Sequence, residues 1–399
     1  MRVLFADKLP DRARVRLASA GFEVRSEPKL DGATLAERLR DFDPDVLVVR
    51  STKVTAEHAT AGRKLALVVR AGAGVNTIDV SACSGRGIFV TNCPGKNAVA
   101  VAELTLGLIL AIDRSIPDGV ADLRAGRWAK GKYSVASGLK GRTLGVLGFG
   151  DIGAAVARRA RAFGMSVSAW SRSLTAEAAA EAGVTRCASP EEVARQSDVV
   201  SVHLALTRET AGLVGESVFA AMKHGATFVN TSRAEVVDEA ALLAALDAKG
   251  LRAGLDVFTG EPSGNEGAFD HPLARHPSVY GTHHIGASTE EAQDAVAAEA
   301  CRIIEAFRNE GKVLNGVNSL IRSAATHRIT VRHLDQVGVL ASVLGVLREA
   351  SINVQEMENV IFPGGAAIAR IQVSSAPDPV AIERLGGSAH VLDVSVVAL

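Results

Sequence analysis

The stretch RTLGVLGFGDIGAAVARRA, beginning at Arg142, limits the fold more than any other part of the chain. It runs apolar to Leu147, sets Gly148, Gly150 and Gly153 as GxGxxG, and continues in the pattern of an Ala-rich helix. A strand, a tight glycine turn and a helix in succession bring backbone close to a ligand. They also aim the unpaired N–H groups of the helix start at an anion such as a dinucleotide pyrophosphate. Gly148, Phe149, Gly150, Asp151, Ile152 and Gly153 are therefore the candidate cofactor loop. Asp151 is its odd member, since a carboxylate beside a pyrophosphate is unfavourable unless it turns to solvent.

Around this loop the chain repeats one unit. RVLFA (2–6), DVLVVR (45–50), LALVVRAG (65–72) and GIFVTN (87–92) are continuous apolar runs separated by helical segments such as 32–42. Runs of that kind fit parallel strands buried on both faces. A second series opens at 142–150 and continues through MSVSAW, DVVSVH (198–203), ATFVNTS (226–232), LRAGLDVF (251–258) and SVYGTHH (278–284). The expected fold class is α/β, with two doubly wound parallel-sheet domains. A helix at 98–112 joins them, and a long helix at 290–311 can return the chain to the first. The last seventy-odd residues restart as strand, helix, two strands around PGG (363–365), helix and strand, a βαββαβ module. The expected domains are 1–97 completed by 288–315, then 98–287, a linker at 316–326, and 327–399.

An acidic residue about 20 positions beyond the first glycine ordinarily accepts both adenosine ribose hydroxyls. Here Ser171 and Arg172 occupy that place. A guanidinium can pair with a 2′-phosphate and a serine leaves room for one, so the cofactor is NAD(H) or NADP(H), with a lean to NADP(H).

Charge excludes several partners. Lys plus Arg and Asp plus Glu both number 44, so no net field favours nucleic acid or an acidic membrane. Cys83, Cys93, Cys187 and Cys301 form no CxxC pair and no metal spacing, so reduced thiols and no metal site are expected. The opening MRVLFADKLP is too short an apolar run for a secretory leader, and the apolar 98–112 stretch holds Glu103 and is too short to span a bilayer. The expectation is a cytoplasmic protein.

Three strand-end segments carry reactive groups: NTSRAEVVDE with Arg233, GLDVFTGEP with Asp256 and Glu261, and THHIGAST with His284. They converge at the carboxyl edge of one sheet. Hydride transfer at a 2-hydroxy acid needs a cation for the carboxylate, which Arg233 offers, and a proton acceptor near neutrality. His284 beside Glu261 meets the second need, with His283 competing for the role.

The sequence resembles the D-isomer-specific 2-hydroxyacid dehydrogenase family over residues 1–320, through RAGAGVNTIDVSA, NAVAVAELTLGLILA, GRTLGVLGFGDIG, VNTSRAEVVDEAAL, LDVFTGEP and HHIGAST in the family's order. The resemblance implies a flavodoxin-like substrate domain, a Rossmann nucleotide-binding domain, and Arg233, Glu261 and His284 as the catalytic set. It further implies Leu206, Thr207, Thr231, Ser232 and Asp256 along the cofactor, with Asp256 near the carboxamide. Around the substrate carboxylate it implies backbone from Gly72, Ala73 and Gly74 to Val75, with Asn76. His283 replaces a common proline, Ala234 a frequent glycine, and Ala205 the proline of HLPL.

The substrate is argued from cations. Arg50, Lys53 and Arg70, with Ser51, stand at successive strand ends and can hold a phosphate, as phosphoglycerate-oxidising members of the family do. The C-terminal module resembles an ACT domain, which such members often carry. There His333, Asp335 and Asn353 fall where effector side chains lie, with L-serine the expected effector; a purely oligomerising module is the alternative. The expected activity is oxidation of D-3-phosphoglycerate to 3-phosphohydroxypyruvate by a homodimer or homotetramer assembled through 98–135. The alternatives are an NADPH-dependent glyoxylate or hydroxypyruvate reductase, and a dinucleotide-sensing adaptor like the C-terminal-binding-protein corepressors.

Overall fold

The computed structural model describes residues 1–262, 266–319 and 323–399, which divide into the units Met1–Asn318 and Ser319–Leu399. The expected linker at 316–326 falls partly on 320–322, outside the described residues.

In the first unit β1 (Arg2–Phe5), β2 (Glu23–Ser26), β3 (Val46–Val49), β4 (Leu67–Arg70) and β5 (Phe89–Asn92) form a parallel sheet in the order β2-β1-β3-β4-β5. Its continuous apolar runs have a direct cause. Val3, Phe5, Val46 and Val48 face one buried layer, with Val296, Ala300 and Ile304 of the helix Glu290–Glu310. Leu4, Leu47 and Val49 face the other, with Leu35, Leu39 and Phe42 of the helix Gly32–Phe42. Successive side chains point to opposite faces, and both faces are covered.

The second sheet contains β6 (Thr143–Leu147), β7 (Ser166–Trp170), β8 (Thr185–Arg186), β9 (Val199–Val202), β10 (Thr227–Asn230), β11 (Arg252–Leu255) and β12 (Val279–Gly281). All are parallel, in the order β12-β11-β10-β9-β6-β7-β8. The helix Ala98–Arg114 buries Leu106, Leu108 and Ile109 against one face. Strand order reverses between β1 and β3 in the first sheet and between β6 and β9 in the second. At such switch points neighbouring loops part at the carboxyl edge and leave a crevice.

Two edge strands were not expected. β2 reads EVRS, with one apolar residue and mostly exposed side chains, and β8 has two residues. Neither carries the apolar signal of an interior strand.

The second unit is the expected βαββαβ module. β13 (His327–Leu334), β14 (Val354–Ile361), β15 (Ala366–Val373) and β16 (Val391–Ala398) pair antiparallel in the order β14-β15-β13-β16. The helices Val339–Glu349 and Pro379–Gly386 cover one face over Ile329, Val331, Ile371 and Val373. The opposite face carries the pairs Arg332–Asp393 and Arg370–Glu358. The α/β fold class with two parallel sheets thus holds. No helix among the described residues is long and apolar enough to cross a membrane.

Candidate active site

The glycine loop lies at the β6/β9 switch point. Gly148 has φ +96°, and a Cβ there would come 2.7 Å from the His203 carbonyl, so both the turn and the close packing exclude a side chain. A Cβ on Gly153 would meet the Gly148 oxygen at 2.1 Å. Gly150 differs: nothing lies within 4 Å of its would-be Cβ. It also precedes the helix Asp151–Ala162 without a side-chain cap, leaving first-turn N–H groups facing open space. The loop therefore fits a pyrophosphate on its own geometry. Asp151 is exposed, with its Oδ2 against Gly95 on the segment leading into the helix Ala98–Arg114. Ile152 packs against the apolar layer. His203 is kept uncharged, since burial pushes its imidazolium down to about 3; its Nε2 lies 2.9 Å from Ser201 Oγ.

Beyond β7, Ser171 is half-buried and Arg172 exposed. Arg172 Nη1 stands 3.9 Å from Glu209 Oε2. Glu209 accepts from Thr207 Oγ1 at 2.7 Å, which with its own backbone N–H and the Arg172 charge holds its carboxyl below the usual range. The acid absent from the end of β7 thus has a counterpart on the 206–210 loop, where Leu206 is half-buried in the core. A loop acid has no periodic signal to reveal it. Thr231 and Ser232 are buried, with hydroxyls committed to Thr105 (2.9 Å) and Asn230 (2.8 Å).

The reacting groups converge after β10, β11 and β12. His284 Nδ1 lies 2.8 Å from Glu261 Oε2, and Glu261 Oε1 accepts the Phe258 N–H at 2.8 Å. Burial alone would raise the Glu261 pKa. The hydrogen bonds from His284 and Phe258, with the charges of His284 and Arg233, outweigh it and hold the carboxyl below its usual range. His284 has φ +54°, a conformation few non-glycine residues adopt. Asp256 sustains it: Oδ1 accepts from Thr282 Oγ1 (2.6 Å) and the Ile285 N–H (2.8 Å), Oδ2 accepts the Gly286 N–H (2.9 Å), and its carbonyl accepts the His284 N–H (2.9 Å). His283 is exposed, with no hydrogen bond among the described residues.

Asp256 is 1% exposed, so its removal should be costly. Asp256→Ala strands the buried Gly286 N–H, the part-buried Ile285 N–H and a hydroxyl, and we expect a loss of about 3 kcal/mol, read as a lower midpoint of urea unfolding. Activity should fall further than stability, because the same bonds hold the His284 backbone.

Arg233 reaches from this loop to the first sheet. Its Nη1 donates to the Ser232 carbonyl at 2.6 Å, and a Cβ on Gly74 would come 2.6 Å from Nη2. The Gly72–Gly74 turn follows β4 directly, and Arg70 at the end of β4 folds back over Gly72. Burial, then the charges of Arg233 and Arg50, push the Arg70 guanidinium down to about 10, and its Nε is buried without a partner among the described residues. Three arginines thus crowd one spot. Asn76 is exposed, with its Oδ1 near Gly74; Asn92 donates to the Ala73 carbonyl at 2.5 Å. Lys53 is exposed and stands outside this set of mutually interacting arginines.

Asp7 shapes the loop after β3. At the β1/β3 switch point it accepts the Arg50, Ser51 and Thr52 N–H groups at 2.6, 3.1 and 3.0 Å and the Ser51 hydroxyl at 2.8 Å. Burial opposes its ionisation, but these donors prevail and keep its carboxyl below the usual range. Asn230 does the same for Arg233, accepting the Ser232 N–H (3.0 Å) and donating to the Arg233 carbonyl (2.9 Å). Sequence reading named neither, although a polar residue just past an apolar strand was the available signal.

In the C-terminal unit His333 is buried, not open to a pocket: Nδ1 lies 2.8 Å from the Leu334 carbonyl and Nε2 3.1 Å from Asn359 Oδ1. A buried imidazole needs such partners. Asp335 and Asn353 are exposed.

This site on this fold is that of a dinucleotide-binding enzyme of the doubly wound class. Residues 106–286 match the D-isomer specific 2-hydroxyacid dehydrogenase family, NAD binding domain. The chain is similar to the D-3-phosphoglycerate dehydrogenase of Rattus norvegicus, 37% identical over 352 residues, 88% of this chain and 63% of that protein. It thus spans less than two thirds of that relative's length. Among solved structures it is similar to an NADPH-dependent glyoxylate/hydroxypyruvate reductase from Sinorhizobium meliloti in complex with NADP and malonate, 30% identical with a TM-score of 0.69, covering 79% of this chain and 96% of that one. The NAD+-bound 3-phosphoglycerate dehydrogenase of Entamoeba histolytica is 29% identical with a TM-score of 0.66, covering 80% and 99%. The chain belongs to the D-isomer specific 2-hydroxyacid dehydrogenase family.

Proposed function

We propose that this protein oxidises D-3-phosphoglycerate to 3-phosphohydroxypyruvate. The observation that carries this reading is the crowding of Arg70, Arg50 and Arg233 beside the His284–Glu261 pair. A buried guanidinium depressed by two others calls for an anion. A substrate with both a carboxylate and a phosphate supplies enough charge, whereas glyoxylate does not. Arg233 holds the carboxylate with its fork of donors, aided by the backbone of Gly72–Gly74, and Arg50 and Arg70 face the phosphate. His284, held by Glu261, removes the C2 hydroxyl proton. A dinucleotide on the Gly148–Gly153 loop supplies the hydride acceptor. The two named relatives that act on phosphoglycerate support the same substrate.

The cofactor's phosphate state turns on Arg172. Its exposed guanidinium suits a 2′-phosphate, while Glu209 beside it disfavours one. The test is the initial rate of 3-phosphohydroxypyruvate reduction with NADH and NADPH in parallel. Turnover is expected with both, with NADPH the better donor for the wild type and the preference reversed in Arg172→Ala. A wild type that strongly prefers NADH would remove Arg172 from cofactor selection. If only glyoxylate and hydroxypyruvate turn over, the reductase reading stands, as the Sinorhizobium neighbour favours. No turnover at all would leave the adaptor.

A homo-oligomer completes the proposal. Ile116, Leu123, Trp128 and Val135 are 51, 60, 81 and 79% exposed along one segment, an apolar set that a second copy would cover. L-serine at the exposed Asp335 and Asn353, with the buried His333 behind them as scaffold only, is the proposed effector, and the same assay with serine added reads it.

A further inference from the structure

A second cationic site lies at the opposite edge of the nucleotide-binding sheet. There, at the amino ends of β6, β10 and β11, a cavity of about 170 Å³ opens between the end of the helix Ala98–Arg114 and residues 132–137. Arg114, Lys132, Arg142 and Arg252 line it, against one carboxylate, Asp113. The strands separate it from His284 and Arg233, which stand at their carboxyl ends.

Neighbouring acids answer only part of this charge. Asp113 serves Arg142, at 3.3 Å, and the Gly138 N–H. Asp122 is held by Arg127, Lys132 and Tyr133, Asp118 by the Tyr280 hydroxyl, and Asp198 by Lys223 and the Thr143 N–H. Arg252 donates only to neutral oxygens, Ser115 Oγ and Tyr280 Oη, both at 3.2 Å. Among the described residues Arg114 has no carboxylate within ion-pair distance. The carboxyl end of the helix attracts cations, but its dipole amounts to only about half a charge. With Lys132 paired to Asp122 and Arg142 to Asp113, Arg114 and Arg252 remain as two positive charges with no carboxylate partner among the described residues.

We propose that this cavity binds a small phosphate-bearing anion. A phosphate carries close to the missing charge, and the Arg114 and Arg252 guanidinium groups with the Ser115 and Ser137 hydroxyls offer the donors its oxygens need. The volume suits inorganic phosphate or a three-carbon phosphate ester. The site is separate from catalysis and does not rest on the proposed reaction.

Equilibrium dialysis of radiolabelled inorganic phosphate against the whole chain, at constant ionic strength set with chloride, tests it. Two binding classes are expected. Arg70→Ala should remove the one at the catalytic site, and Arg114→Glu should remove the other with turnover intact. Arg252→Gln should weaken that second class at least tenfold. Arg114 is exposed at a helix end, so its variant remains informative if Arg252→Gln fails to fold. Competition by glycerol 3-phosphate identifies the source: tighter than phosphate means an ester, equal or weaker means the free ion. The proposal is overturned if Arg114→Glu and a folded Arg252→Gln bind phosphate as the wild type does. It is also overturned if chloride displaces the label as well as phosphate does, which would mark an adventitious ion only.

Discussion

Replacing His284 by alanine is expected to lower kcat for hydroxy-acid oxidation by about 10²–10⁴-fold, roughly 3–5 kcal/mol of barrier, with KM little changed. The ring is tied to the Glu261 carboxylate at the carboxyl edge of β11 and β12, where the arginines also face. Steady-state rates in both directions check this, and near-wild-type turnover would remove His284 from the chemistry. Glu261→Gln separates the proton from the scaffold. The glutamine keeps a partner for His284 and loses the charge that favours the protonated ring. Oxidation needs the unprotonated ring and reduction the protonated one. In the variant both directions should slow, but by less than in His284→Ala, because the ring keeps its orienting partner. The sign for Glu261 itself follows from its depressed folded pKa. Its ionic contribution is fully present above the ordinary carboxylate value and is lost as pH falls through the depressed one.

What could be read from the sequence divides along physical lines. An interior strand such as β3 is uniformly apolar because both faces are covered, so composition alone exposes it. The glycine loop was legible because sterics leave no alternative at Gly148 and Gly153. β2 and β8 escaped because an edge strand need not be apolar. The candidate site followed the same rule. Arg233, Glu261 and His284 sit at strand ends within quotable motifs, and the fold brings them together. What aims them showed less: Asp7, acting 43 positions from Arg50, was not named, and Asp256 was named for the cofactor while its hold on backbone donors 29 and 30 positions on was not seen. Partnership at that range depends on which strands become neighbours. Only the order β1-β3 and β11-β12 supplies it.

Arg233→Ala is expected to lower kcat/KM on the order of a thousandfold, ~4 kcal/mol, with Arg233→Lys recovering only part. The partial recovery follows from geometry. One guanidinium arm is fixed on the Ser232 carbonyl and the other lies against Gly74, so the fork faces the Gly72–Gly74 turn already oriented. An ammonium restores the charge without two parallel donors. The loss should also depend on substrate. Arg70 and Arg50 remain in Arg233→Ala, and Arg70, freed of one like charge, regains proton affinity. A phosphorylated hydroxy acid should therefore keep measurable binding in the variant, while glycerate, held by its carboxylate alone, should lose it. Comparing kcat/KM for 3-phosphoglycerate and glycerate in wild type and variant reads this directly. A wider gap between the two substrates in the variant assigns Arg50 and Arg70 to the phosphate. An unchanged gap would place the phosphate elsewhere and reopen the choice of hydroxy acid, with the catalytic pair left standing.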